Sequence, residues 1–514
     1  MSVSRRQFLA NALASGALPL LPRPTYPTPR TLDATRLSKF VDPLPRPAVA
    51  VPIAPGRYRI TMRATACQLH RDLPPTICWT YGGSVPGPTI ETHSGSPFSV
   101  EWRNELPARH FLPIDHTLDG AGPGLPDVRA VVHMHGARVP AASDGYPEDW
   151  YVPGHSRLYR YPNRQPAAPL FYHDHAMGVN RLNVYAGLFG LMNIRDEAED
   201  ALALPRGEQE IPLVLCDRWL TPDAQLYYPI SFIPGKPWVP ELFGNAMMVN
   251  GKLWPECALA PRAYRLRAVN VANSRFFNLS LASGQPFHLI GTGQGLLPAP
   301  VALTSILLAP AERADLIVDF SGHAGEKIVL MNGDIPLMRF RISSGAAAAR
   351  YRPPERLRRL QRIPERAAVR TRLLTLNQYD DLAANPMTML LDGKYWHDPV
   401  SERPQLGTVE IWSFINLTDD THPIHLHQAR FQILDRRAFD VDAYLASSRL
   451  RYLAPARPPG LDERGWKDTA RAYAGDVTRI IIPFDGYAGR YLWHCHLLEH
   501  EAKDMMRPYD IMPA

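Results

Sequence analysis

Four His-x-His pairs punctuate this 514-residue chain: His133-Met-His135, His173-Asp-His175, His425-Leu-His427 and His494-Cys-His496. On a β-strand, residues i and i+2 point to the same face, so each pair presents two imidazoles side by side. A single pair is ordinarily a surface or hydrogen-bonded feature. Four pairs, two early and two late, are not a chance pattern. They require a fold in which residues 133–175 and 425–496 meet. Eight imidazoles converging on one place can hold several ions of the imidazole-preferring kind, copper, zinc or iron.

The rest of the sequence suits such a strand framework. Ser96-Pro-Phe-Ser-Val-Glu-Trp-Arg places Phe98, Val100 and Trp102 on one side, and Ala263-Tyr-Arg-Leu-Arg-Ala alternates in the same way. Arg479-Ile-Ile-Ile-Pro-Phe is a short apolar run. Short strands separated by turn residues predict an all-β chain of sandwiches or barrels. The 52 prolines argue against a helical bundle. Five cysteines exclude a disulfide scaffold, and 45% hydrophobic residues exclude global disorder.

Two breaks divide the chain. Arg195-Asp-Glu-Ala-Glu-Asp is charged and precedes a new strand-like run. Ser343 to Arg370 is Ala-rich and then Arg- and Pro-rich, with eight arginines from Arg350 to Arg370 against two glutamates. It reads as a solvated linker, with docking of an acidic partner as the minority alternative. The expected segments are 40–200, 205–343 and 370–514, with 344–369 as linker, each long enough for one β-sandwich.

Beside the paired histidines stands a ligand set of another kind. Cys495 supplies a thiolate, His422 and His500 supply imidazoles, and Met505 is a candidate weak axial thioether. Two His, one Cys and a long axial Met make a blue-copper electron-transfer centre. Zinc accepts Cys and His, but Met is not in its usual set. On a strand, Cys495 faces away from His494 and His496. The backbone of these three residues can then join an electron inlet to a catalytic cluster.

These motifs, in this order, resemble the multicopper oxidases, and among them the bacterial spore-coat laccase, bilirubin oxidase and phenoxazinone synthase group. The likeness extends to Gly145-Tyr-Pro-Glu, Arg181-Leu-Asn-Val-Tyr-Ala-Gly, Val249-Asn-Gly-Lys-Leu-Trp-Pro, Leu308-Ala-Pro-Ala-Glu-Arg-Ala-Asp, Gly465-Trp-Lys-Asp-Thr and Asp504-Met-Met-Arg-Pro, over roughly residues 40 to 514. It implies three consecutive cupredoxin-like Greek-key β-sandwich domains and four copper ions per chain. It implies a type 1 copper on His422, Cys495 and His500 with Met505 axial, and a type 2 copper on His133 and His425. The type 3 pair falls to His135, His173, His175, His427, His494 and His496. Electrons from a small organic reductant would enter at the type 1 site and pass through Cys495 to reduce dioxygen to water. Asp144 and Glu501 match acidic positions assigned proton relay in the nearest relatives; the plainer alternative is a carboxylate that fixes a histidine tautomer.

The 14 methionines form no dense run, and Met387-Thr-Met389 reads as core packing. That favours phenols, aminophenols, dyes or bilirubin-like tetrapyrroles over cuprous or manganous ions. A cell-envelope cupredoxin protein without catalysis is the non-enzyme alternative, disfavoured because no ligand is missing. The other eight histidines carry no motif. Cys67, Cys78, Cys216 and Cys257 lie outside the ligand positions and either pair, with three connectivities, or stay as buried thiols. Residues 440–467, rich in Pro and Arg, are a candidate lid.

The first thirty residues read as an address. Arg5-Arg6 precedes Phe8-Leu9 and a mild apolar run to Leu21, the pattern of a twin-arginine signal read by the export machinery for folded proteins. The run is too short and polar to span a membrane, and no later stretch qualifies. A periplasmic or secreted monomer is expected. The formal charge of +6 falls to +2 without this stretch, so no nucleic-acid partner is implied.

Overall fold

The computed structural model describes residues 31–231, 233–381 and 385–514. The proposed export signal lies outside them. Strands dominate, and the described helices are short, none exceeding seven residues. The all-β expectation therefore holds. No described helix is long and apolar enough to cross a membrane.

The ladders fall into three stretches, each with two sheets. In the first, Thr76–Tyr81, Arg57–Cys67, Phe98–Asn104 and Ser156–Tyr161 form one four-stranded sheet. Gly87–His93, Phe189–Arg195, Ala168–Asp174 and Val132–His135 form the other. The middle stretch, between residues 210 and 342, holds an eight-stranded and a five-stranded sheet. In the last, a five-stranded sheet faces a four-stranded one built of Thr469–Ala472, His422–Leu426, Gly489–Cys495 and Met506–Ile511.

One topological device recurs in all three. Arg57–Cys67 pairs in parallel with Phe98–Asn104, Glu210–Leu220 with Ala263–Asn270, and Arg370–Asp381 with Val409–Asn416. Each parallel pair needs a long return connection, which gives the Greek-key character of the sandwiches. Alternation drives the packing: along Phe98–Asn104, Phe98, Val100 and Trp102 are buried while Ser99, Glu101 and Arg103 are not. The first two stretches share one apolar core, and the last has its own, which includes Trp412, Trp493, Cys495 and Met505. At about 25 cal/mol per Å² of buried apolar surface, cores of this kind dominate the stabilisation.

Residues 343–369 contain no strand. They are held at points: Arg358 forms an ion pair with Asp196 at 2.5 Å, and Arg362 donates to the Arg464 carbonyl at 2.9 Å. The 440–467 stretch is not a free loop. It begins with the helix Val441–Ser447 and folds back on its own strand through the bridges Phe439↔Tyr452 and Arg436↔Arg457. Its far end is fixed by buried Glu463, which takes two 2.6 Å bonds from Arg436. All five cysteines are free thiols. Cys216 and Cys257 stand in different sheets, on Glu210–Leu220 and Glu256–Leu259. Met389 is buried in the last core and Met387 packs against it.

Candidate metal centre

The strand register brings the histidine pairs together. Val132–His135 pairs antiparallel with Ala168–Asp174, setting His133 opposite His173. His422–Leu426 pairs with Gly489–Cys495, setting His425 opposite His494 and Ile424 opposite Cys495. The two sheets face each other, so rings from the two ends of the chain stack. His133 and His427 lie 3.7 Å apart between centroids, as do His135 and His425. All eight rings are buried at 5% exposure or less.

Metal-ligand geometry emerges as separate clusters. His135, His173 and His496 place one ligand atom each within 4.8 Å of one another, as do His175, His427 and His494, and His133, His425 and His427. His422, Cys495 and His500 form a cluster apart. There the Cys495 Sγ lies 3.5 Å from His422 Nδ1 and 3.8 Å from His500 Nδ1, and the two Nδ1 atoms are 3.3 Å apart. Met505 is fully buried beside them, its carbonyl accepting from the Cys495 amide at 3.1 Å. The Cys495 side chain thus serves one cluster while its chain neighbours serve the other, as alternation requires.

The rings are oriented by their outer nitrogens. His133 Nδ1 donates to the Asp144 carbonyl at 2.6 Å, His173 Nδ1 to that of Asp174 at 2.9 Å, and His425 Nδ1 to that of Asp468 at 2.8 Å. The Nε2 atoms of these three rings are buried without a protein partner. In each, an Nδ1–H tautomer fixed by a carbonyl leaves an Nε2 lone pair aimed at the interior, the arrangement by which proteins prepare histidine ligands. His427 Nε2 and His175 Nε2 approach His494 Nε2 to 3.1 and 3.4 Å. Buried acceptors left without a donor, as the Nε2 atoms of His133, His173 and His425 are, cost about 1–3 kcal/mol each unless a cation sits among them. The donor set therefore fits metal ions. Burial pushes the His173 imidazole down to about 4 and those of His175 and His422 to about 3, so these ligands stay neutral and ready to coordinate. Burial raises the Cys495 thiol, and only a bound cation would make it a thiolate there.

Two carboxyls singled out from the sequence lie at this cluster. Asp144 Oδ2 accepts from His427 Nδ1 at 2.7 Å. Glu501 places Oε1 3.3 Å from His175 Nε2 and Oε2 3.2 Å from His494 Nδ1, and Oε1 also accepts from Asn180 Nδ2 at 2.5 Å. Their proton affinities diverge. Burial pushes Asp144 well above the usual carboxylate range. Burial also works to raise Glu501, but the neighbouring His494 and His175 rings outweigh it and bring Glu501 down to about 2.

A third carboxyl escaped the sequence reading. Asp468 Oδ1 lies 3.4 Å from His135 Nε2, its carbonyl holds His425, and with those two histidines it forms a further candidate metal group. Burial works against its charge, yet Arg313 and His135 hold it well below the usual range. Arg313 grips it through Nη1 at 2.8 Å and Nη2 at 2.6 Å. The only sequence signal was its place in Gly465-Trp-Lys-Asp-Thr, where no role could be attached.

Comparisons agree with this geometry. Two sequence profiles described as multicopper oxidase match residues 368–514 and 125–199. A laccase of Bacillus subtilis (strain 168) is 45% identical over 507 residues, spanning 92% of this chain and 99% of its own. A laccase of Bacillus stratosphericus is 44% identical over 93% of this chain. The crystal structure of a multi-copper oxidase from Pediococcus acidilactici superposes with a TM-score of 0.78 at 28% identity, covering 93% of both chains. Such neighbours are built of cupredoxin-like domains, and the three sandwiches described above are of that kind. The chain belongs to the multicopper oxidase family and is a laccase-type, copper-dependent oxidoreductase with oxygen as its acceptor.

Proposed function

We propose that the chain holds four copper ions and oxidises small organic reductants one electron at a time. His422, Cys495 and His500, with Met505 buried beside them, would hold the type 1 ion. His133 and His425 take the type 2 ion. One type 3 ion falls to His135, His173 and His496, and the other to His175, His427 and His494. The observation that carries this reading is the clustering of His422, Cys495 and His500 apart from three histidine triads, with His494 and His496 flanking Cys495 in sequence. Bound copper supplies one-electron chemistry between its two common oxidation states, and imidazole and thiolate are the ligands that favour it.

The remaining work belongs to the chain. Four one-electron oxidations accompany the uptake of four protons as dioxygen becomes two waters. Asp144, 2.7 Å from His427 Nδ1, and Glu501, 3.2 Å from His494 Nδ1 and 3.3 Å from His175 Nε2, hold and pass those protons, as buried carboxyls within hydrogen-bond reach of the site. The carbonyls of Asp144, Asp174 and Asp468 keep the rings in register. The reductants are phenols, aminophenols or bilirubin-like tetrapyrroles. Support comes from Met387 and Met389, which are engaged in core packing and form no thioether surface. Cuprous or manganous ions are the competing substrates. The Arg5-Arg6 pattern supports export of the folded protein by the twin-arginine route.

The test is oxygen uptake by copper-loaded protein with a phenol, an aminophenol, bilirubin, cuprous ion and manganous ion in parallel, with copper counted per chain. Uptake with the organic compounds and four coppers is expected. Uptake with the metal ions alone refutes the substrate assignment, and fewer than four coppers refutes the ligand assignment. Replacing Arg5 and Arg6 by lysine should leave the protein in the cytoplasmic fraction; unchanged distribution refutes the export reading.

A further inference from the structure

The single helical turn Leu498–Glu501 carries three functional side chains in succession. At 100° per residue they must point three ways. His500 points to Cys495 and His422, and Glu501 to His175 and His494. Glu499 points to the middle stretch, which supplies no metal ligand.

Its reception there is unusually complete. Tyr228 Oη donates to Glu499 Oε1 at 2.6 Å, Asn273 Nδ2 to the same oxygen at 2.7 Å, and Ser274 Oγ to Oε2 at 2.7 Å. Trp238 Nε1 donates to the Glu499 carbonyl at 2.9 Å, and the Leu498 amide donates to the Asn273 carbonyl at 3.1 Å. Glu499 and Asn273 are fully buried, and Ser274, Tyr228 and Trp238 nearly so. The Arg181 guanidinium lies over the Tyr228 ring, 5.0 Å from its centroid. A carboxylate is an acceptor only, and every side chain meeting it here is a donor. Glutamine would set its own N–H₂ against one of them. A four-residue turn has no rigidity of its own, so whatever holds Glu499 fixes the rotation of the turn and the direction of its neighbours.

We propose that Glu499 is a positioning residue, through which the middle stretch sets the orientation of the His500 imidazole at the Cys495 and His422 cluster. This rests on the type 1 reading of that cluster. The middle stretch then does more than space the outer two: it tunes the electron inlet through a residue that touches neither metal nor substrate. Partners of this outer kind commonly change activity by about 10–100-fold when lost.

The experiment compares copper-loaded parent protein with Glu499→Gln, Tyr228→Phe and Ser274→Ala. The readouts are the visible absorption of the type 1 centre, its reduction potential, and kcat and KM for a phenol. Glu499→Gln should move both band and potential and lower kcat about tenfold with KM little changed. Tyr228→Phe and Ser274→Ala, which each remove one donor, should move them the same way by less. They decide the matter if Glu499→Gln does not fold. A lower unfolding temperature with band and potential unmoved would show a staple between stretches and overturn the proposal. A parent protein that binds copper yet is colourless would overturn the type 1 reading itself, whereas a blue parent with unmoved variants sinks only the role of Glu499.

Discussion

Arg313→Met offers a quantitative test of how the three stretches are locked around the metal centre. Arg313 belongs to the middle stretch. Its Nη1 and Nη2 bind Asp468 of the last stretch at 2.8 and 2.6 Å, and its Nε donates to the Pro169 carbonyl of the first at 3.0 Å. Two further bonds reach the carbonyls of Ala311 at 3.0 Å and Gly293 at 2.8 Å. Arg313 and Asp468 are 2% and 1% exposed. Removing one member of such a pair strands the other as a buried, uncompensated charge, at a cost of about 3–5 kcal/mol. At about 1.4 kcal/mol per factor of ten, that is roughly two to three and a half powers of ten in the folding equilibrium. Methionine retains most of the volume, so the loss reports charge more than cavity. Adding Asp468→Asn removes the stranded charge and should restore a large part of the loss, giving a strong coupling between the two sites. The assay is guanidinium unfolding of copper-free protein, followed by tryptophan fluorescence, for parent, both single variants and the double. A loss under about 1 kcal/mol for Arg313→Met, or simple additivity in the double variant, would refute the claim that this pair is a desolvated lock.

The remaining predictions concern the site itself. Cys495→Ser should abolish the visible band and turnover with all reductants while the far-ultraviolet β spectrum persists; retained oxidase activity would exclude the cysteine from the electron path. Glu501→Gln should slow dioxygen reduction by about 10²-fold with the visible band intact, the usual scale of a lost proton relay, and unchanged turnover in single-turnover reoxidation would refute that role. Copper-free protein should lose stability as pH falls from about 6.5 towards 4. Nine site histidines have imidazoles depressed by burial, so the unfolded chain binds more protons across that window. Each contributes a slope approaching about 1.4 kcal/mol per pH unit. Asp144 and Asp174, raised by burial, act in the opposite sense but are outnumbered. A thermal midpoint that stays level or rises between pH 7 and pH 5 would count against the buried, neutral state of these rings.

Much of the centre was legible because β-alternation is a local rule. His133 with His135, or His494 with His496, can be assigned to one face, and Cys495 to the other, from spacing alone. The grouping of Cys495 with His422 and His500 was legible from ligand chemistry, since one Cys, two His and a nearby Met suit a single ion. What was not legible depends on docking between distant stretches. Asp468 and Arg313 are 155 residues apart and ordinary in sequence. Neither acquires meaning until the middle and last sandwiches close on the same histidines. The same holds for Glu499, whose partners Tyr228, Asn273 and Ser274 lie more than 200 residues upstream. The choice of ring nitrogen was also hidden, since it follows from carbonyls that the fold delivers. The 440–467 stretch could be marked but not shaped, because its anchors, Arg436 with Glu463, are a tertiary pair.

The pairing of His425 with His494 and Ile424 with Cys495 bears on which changes of length the chain can absorb. The Cys495 cluster and the paired histidines are separated by the two faces of one strand, not by two loops. A one-residue insertion or deletion inside Gly489–Cys495 would invert every side chain beyond it. It would exchange the thiolate with an imidazole instead of merely displacing both. Such a lesion cannot be relieved by local relaxation, because the neighbouring ladders hold the register on both sides. Lengthening the exposed part of the 440–460 stretch leaves that register untouched, and this is where variation in length, natural or engineered, has room to accumulate.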